Sequence, residues 1–157
     1  MALLDKNITI FCREQTSYNY VSKFFKYKEN LFLDHDMAFH IDLLKFNIDN
    51  GNLGILNAFR KDVEKTNINI SNDNYDISHE LMDIQNGFKK EKCNKITEEF
   101  LNIISNYNVI NTNRTHVAVA GYLLGKKVNF YNNSYYKNKS IYEYSLKKNN
   151  KIIFNQK

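Results

Sequence analysis

Val109-Ile-Asn-Thr-Asn-Arg-Thr-His-Val-Ala-Val-Ala-Gly-Tyr-Leu-Leu-Gly-Lys-Lys-Val-Asn-Phe-Tyr131 holds the fold in miniature. Val109-Ile110 is a brief apolar strand, and Thr112 is placed to cap a helix running through Val117, Val119, Leu123 and Leu124. Gly125 stops that helix, because glycine alone enters the left-handed cap conformation without strain. Lys127-Val-Asn-Phe-Tyr131 then reads as a second strand. A strand, a helix and a strand on short connections make a parallel crossover unit.

Outward from this unit the pattern repeats. Lys95 to Tyr107 is an amphipathic helix through Ile96, Phe100, Ile103 and Ile104. Asn52 to Phe59 reads as a strand ending in the charged turn Arg60-Lys-Asp-Val-Glu-Lys65, and residues 67 to 76 as a loop with at most a small strand. Leu31-Phe-Leu33 is a short strand closed by Asp34-His-Asp36. Asn7 to Cys12 is a buried strand, after which Thr16 or Ser17 caps a helix with Tyr20, Val21, Phe24 and Phe25 on one side. Beyond Tyr131, a polar loop from Asn132 to Lys139 leads to a last helix starting near Ser140, with Glu143 on its first turn. The expectation is an α/β fold: a parallel sheet with helices on both faces, one domain over residues 1–157. With no proline and five glycines, no interdomain linker is visible.

The composition narrows the function classes. Aromatic residues at 14% exclude coil-type disorder, and no apolar run reaches the roughly 20 residues of a membrane span. Cys12 and Cys93 are two inert thiols rather than a disulfide framework, which fits a cytoplasmic location, the inner face of the membrane included. The net charge of +5 is uneven. Residues 111–157 carry nine basic side chains against Glu143 alone, whereas residues 1–110 carry thirteen basic and sixteen acidic ones. A positive field so concentrated favours an anionic ligand. Only Arg13, Arg60 and Arg114 are arginines, which weighs against nucleic acid.

In parallel sheets, ligands bind beyond the carboxyl ends of the strands. Thr112-Asn-Arg-Thr-His116 is the sharpest feature there. Free backbone N–H groups at a helix start attract anions, a guanidinium adds a forked donor, and an imidazole can give a proton. Arg13 follows the first strand, and Ser134, Lys137 and Lys139 sit in the loop after Tyr131. Asp34-His-Asp36, with His40 beyond, has metal-ligand composition, but adjacent side chains diverge and turn chemistry explains them better; no metal is expected.

These motifs, in this order, resemble the C-terminal half of the polysaccharide pyruvyl transferase family. They are Arg13-Glu-x-x-Ser17, Asp36-Met-Ala-Phe, Phe59-Arg-Lys-Asp62-Val-Glu64-Lys-Thr66, Asn113-Arg-Thr-His116, Asn133-Ser-Tyr-Tyr-Lys137-Asn-Lys-Ser and Tyr142-Glu. The family's usual Asp-Arg-Leu-His is replaced here by Asn113 and Thr115 in its first and third places. The resemblance implies a Rossmann-like domain similar to half of a B-type glycosyltransferase, without the N-terminal domain that forms the other cleft wall. It implies transfer of a pyruvyl group from phosphoenolpyruvate to a pair of sugar hydroxyls, with no cofactor. It marks His116 and Arg114 as catalytic, and Arg13, Arg114, Thr115, His116, Ser134, Lys137 and Lys139 as substrate-binding. The implied partners are phosphoenolpyruvate, a carbohydrate acceptor, and a separate N-terminal domain or a second copy of the chain. The alternatives are a sugar-nucleotide glycosyltransferase half and a non-catalytic anion-binding module.

Overall fold

The computed structural model describes residues 6–62, 70, 72–81 and 90–156. Parts of the 60–65 turn and the 67–76 loop, Glu64 among them, and Thr66 between the two lie outside the described residues.

The strands form two parallel sheets rather than one. β1 (Ile10–Cys12) pairs with β2 (Leu31–Leu33), and β3 (Leu53–Ala58), β4 (Tyr107–Thr112), β5 (Lys127–Tyr131) and β6 (Ile152–Asn155) form a second sheet in that order. Each has its own core. Cys12, Phe25 and Leu31 pack together beneath β1 and β2, with Ile10, Tyr18 and Val21 around them. Leu56, Ile104, Ile110, Val117, Val128 and Phe130 anchor the larger core.

Helix α1 (Gln15–Phe24) links β1 to β2. Its cap is Glu14, whose carboxylate accepts the N–H groups of Thr16 and Ser17, and not either of those residues as expected. Tyr20 and Phe24, expected on the packed side, are exposed and lie against each other. α2 (Ile77–Glu80) is one turn, and α3 (Lys90–Ser105) begins earlier than its apolar stripe alone suggests. α4 (Thr115–Leu123) is buried from Val117 to Gly121, a stretch apolar all round because its successive positions are all covered. A Cβ on Gly121 would stand 2.7 Å from Val128 Cγ2, so glycine lets α4 approach β5. Gly125 ends α4 with φ of 68°; its N–H bonds Tyr122 and that of Lys126 bonds Gly121, the six-residue closure of a glycine-stopped helix. α5 (Lys137–Ile141) starts before Ser140 and runs into a π-helical turn, Tyr142–Leu146.

Because β3 to β6 succeed one another in a single direction, right-handed crossovers bring α3, α4 and α5 to one face of that sheet. On its other face, among the described residues, Leu53, Ile55 and Ile153 are exposed, and Asn57, Asn111 and Asn129 form a side-chain amide ladder across three strands. Lys126 and Lys151 donate to the carbonyls of Ser105 and Gly125, at the carboxyl ends of α3 and α4. Part of the C-terminal positive charge therefore answers helix ends rather than a ligand.

Candidate anion site at the seam of the two sheets

The carboxyl ends of both sheets converge. Arg13 and Glu14 follow β1, Asp36 follows β2, Arg60 and Asp62 follow β3, Asn113 to His116 follow β4, and Lys137 to Ser140 follow β5. Glu14 is 3% exposed and joins the sheets: the Ser140 hydroxyl donates to it at 2.6 Å, and Thr16 and Ser140 hydroxyls meet at 3.0 Å. Burial pushes the Glu14 carboxyl up, but hydrogen bonds from Ser140, Ser17 and Thr16 outweigh it and hold it below its usual range.

The first cluster centres on Asp36. Arg13 ion-pairs with Asp36 Oδ2, the Ala38 N–H donates to Oδ1 at 3.0 Å, and His116 Nε2 stands 3.6 Å from Oδ1. Burial raises the Asp36 carboxyl; the Ala38 N–H, Arg13 and the His116 charge more than compensate, so it stays ionised. His116 is 60% exposed at its side chain. Loss of surrounding water and the charges of Arg13 and Lys137 lower its pKa, against the opposing pull of Asp36. At neutral pH it is an uncharged imidazole beside two cations.

The second cluster is buried. Asp76, 2% exposed, is gripped by Arg114 through Nε and Nη2, the latter at 2.7 Å, and accepts the Lys61 N–H at 3.2 Å. Arg114 also stands 3.7 Å from Asp62, which Arg60 holds at 2.7 and 2.8 Å. Asn113, fully buried, accepts the Arg60 N–H at 2.9 Å, while its carbonyl accepts the side-chain amide of Asn138 at 2.7 Å. Asn138 also receives the Thr115 hydroxyl at 2.9 Å. Both substituted positions of the motif are thus satisfied within the fold. Thr112 bonds the Ala58 carbonyl and the Arg114 N–H, and Arg114, not Thr112, occupies the cap position of α4.

Of the expected site residues, the fold brings Arg13, His116 and Lys137 together. Arg114 turns to Asp76, its Nη1 lying outside that fork, and the Thr115 hydroxyl is committed to Asn138. Ser134 and Lys139 are exposed, with no hydrogen bond or ion pair to either cluster among the described residues. Arg13 pairs with Asp36 and not with Glu14, which was the surface alternative. The Asp34-His-Asp36 side chains diverge as expected: Asp34 accepts the His35 N–H, His35 Nδ1 meets the Ser145 hydroxyl at 2.9 Å, and Asp36 turns inward. Sequence reasoning missed Glu14, Asp76 and Asn138 as organising residues. The only local signal for Asp76 was a carboxylate just ahead of a helix start; its partner lies 38 positions away.

This is an α/β protein with basic and imidazole side chains gathered at strand ends and at a helix N-terminus. The polysaccharide pyruvyl transferase family model matches residues 2–135, and the chain belongs to that family. Among solved structures it is similar to a protein from Klebsiella pneumoniae subsp. pneumoniae NTUH-K2044, with 35% sequence identity and a TM-score of 0.79. The alignment covers 96% of this chain and 55% of that one, so the chain spans about half the relative's length. No curated protein matches the chain. Among the described residues no helix is long and apolar enough to cross a membrane.

Proposed function

We propose that this chain carries the donor site of a pyruvyl transferase that moves the pyruvyl group of phosphoenolpyruvate onto two hydroxyls of a saccharide. The observation that carries the reading is the gathering of Arg13 and His116 on Asp36 at the N-terminus of α4, with the Lys137 charge acting on His116. Free N–H groups at a helix start and a forked guanidinium suit a ligand bearing carboxylate and phosphate. Arg13 takes one anionic group by exchanging Asp36 for it, and Arg114 offers Nη1 to the other. Lys137 and Lys139 cover the donor.

In the reaction, the methylene carbon of phosphoenolpyruvate gains a proton and becomes a methyl group. C2 forms bonds to two sugar oxygens, and the C2–O bond to phosphate breaks. Of the two hydroxyl protons, one ends on the methyl group and one on inorganic phosphate, so atoms and charge balance. His116, neutral before binding, acquires a proton as the donor's negative charge arrives, and passes it to the methylene carbon or to the departing phosphate. These residues span 55% of the structural relative, so the other cleft wall comes from outside them, from an N-terminal domain or a second copy.

Calorimetric titration of phosphoenolpyruvate into the protein tests the reading. Binding in the intact chain that is lost in Arg13→Ala and His116→Ala is expected. Unchanged binding in both variants, or heat from a nucleotide sugar and none from phosphoenolpyruvate, overturns it.

A further inference from the structure

Glu14 is a buried carboxylate in a place where an exposed cap would do. A helix start needs a side-chain oxygen for one or two of its free N–H groups, and a surface residue supplies it. Here the cap accepts the N–H groups of Thr16 and Ser17, the Ser17 hydroxyl and, at 2.6 Å, the Ser140 hydroxyl from a helix of the other sheet. Glu14 and Ser140 are both buried by residues of this chain alone.

The link closes a ring around the anion site. Glu14 follows Arg13 at the carboxyl end of β1. Ser140 lies on α5 with Asn138, whose side chain holds the Asn113 carbonyl and the Thr115 hydroxyl at the start of α4. His116, next on α4, stands at Asp36, and Asp36 holds Arg13. Asp36 is tied to the larger unit independently of Glu14: the Ala38 N–H donates to it, and Phe39 packs edge-on against Tyr122 of α4 at 5.5 Å between centroids. For the backbone at Arg13, the grip on the larger sheet is the Glu14–Ser140 bond. Without the Ser140 hydroxyl an ionised, buried carboxylate is short of a donor, and such a group moves towards water. Arg13 is carried with it, while Asp36 stays on α4.

We propose that Glu14 and Ser140 are positioning residues: their hydrogen bond across the seam fixes Arg13 against His116. The consequence for donor binding rests on the donor reading above; the positioning itself does not.

NMR titration of the His116 imidazole tests it without a ligand. Three charged groups act on that ring: Asp36 raises its pKa, and Arg13 and Lys137 lower it. Ser140→Ala should raise the His116 pKa, because Arg13 withdraws and Asp36 does not. Arg13→Gln should raise it further. Ser140→Ala added to Arg13→Gln should then change nothing, since Ser140 acts through Arg13. Ser105→Ala is the control: it removes another buried serine hydroxyl, bonded to the Asn102 carbonyl at the opposite end of β4, and should leave the titration in place. Alanine is the best helix former, so both alanine variants keep their helices, which circular dichroism checks. Ser140→Ala should also weaken phosphoenolpyruvate binding by about fivefold, the scale of one hydrogen bond. A His116 shift with no phosphoenolpyruvate binding by the intact chain keeps the positioning role and removes the donor reading. An unmoved titration in Ser140→Ala, an equal shift in Ser105→Ala, a shift that survives in Arg13→Gln, or phosphoenolpyruvate binding equal in Ser140→Ala and the intact chain overturns the positioning role.

Discussion

Arg13–Asp36 and Arg114–Asp76 are the same chemical pair in two settings. Both join a guanidinium to a carboxylate carried by a distant segment. Asp76 is sealed by two arginine nitrogens and a backbone N–H, and the Arg114 side chain is only 17% exposed. Arg13 is 37% exposed at its side chain and shares its partner with an exposed imidazole. A buried pair in which only Arg114 Nη1 lies outside the fork holds segments in place; a part-open pair can exchange one partner for a ligand. The comparison separates the scaffold of the site from its working edge, though each takes its arginine from one of the motifs at a strand's carboxyl end.

The largest expected effect falls on the buried side. Asp76→Ala leaves Arg114 charged and shielded from water, and should cost about 3–5 kcal/mol in denaturant unfolding. A loss under about 1 kcal/mol would mean that Arg114 finds water or Asp62 at little cost, and the distinction between the pairs would fail. Next is Asn138→Ala, which strips partners from Thr115 and from the Asn113 and Tyr131 carbonyls. It should cost about 1–3 kcal/mol and speed amide exchange at the start of α4.

On the open side the signs differ. Asp36→Asn should cost about 1–3 kcal/mol, less than Asp76→Ala, because the Arg13 side chain it leaves is 37% exposed and can be solvated. It should tighten binding of phosphoenolpyruvate several-fold, because Arg13 no longer has an anion to give up. Destabilisation as large as in Asp76→Ala, with no gain in affinity, would make Arg13–Asp36 a second scaffold pair.

The smallest effect is in pH dependence. The folded His116 pKa lies below its usual 6.5, so the unfolded chain binds more protons there, and stability falls as pH drops from about 6.5 towards the folded value. Asp36 and Glu14 have lowered carboxyl pKa values, so their contribution is present above their usual 3.8 and 4.5 and is lost as pH falls through the folded values. His116→Gln should flatten the first part of the acid unfolding profile and leave the second. Phosphoenolpyruvate binding near pH 6.5 should take up protons, seen as heats that vary with buffer ionisation enthalpy; no uptake would count against His116 as the proton carrier.

Local signals were legible wherever one residue type forces one backbone. Lys127–Tyr131 is a strand with the expected bounds, and Gly125 ends α4 as its freedom of φ requires. β6 was not read, because Ile152-Ile-Phe is a short apolar run set among lysines and asparagines, and such a run becomes a strand only when β5 offers it an edge. The cap of α1 went to Glu14 since Ser140 from the far end of the chain completes its hydrogen bonds, a reason that no window around residue 14 contains.

The order of the strands from β1 to β5, the parallel α/β class and the anion-seeking pattern at Arg13 and Asn113-Arg-Thr-His116 were set by the sequence itself, through periodicity, capping and charge. Which charges face a ligand was decided by tertiary structure alone. That choice depends on partners 23 positions from Arg13 and 38 from Arg114. Burial of both carboxylates is a property of the packed interior, so only folding could seal Arg114 on Asp76 and leave Arg13 half-open to solvent on Asp36.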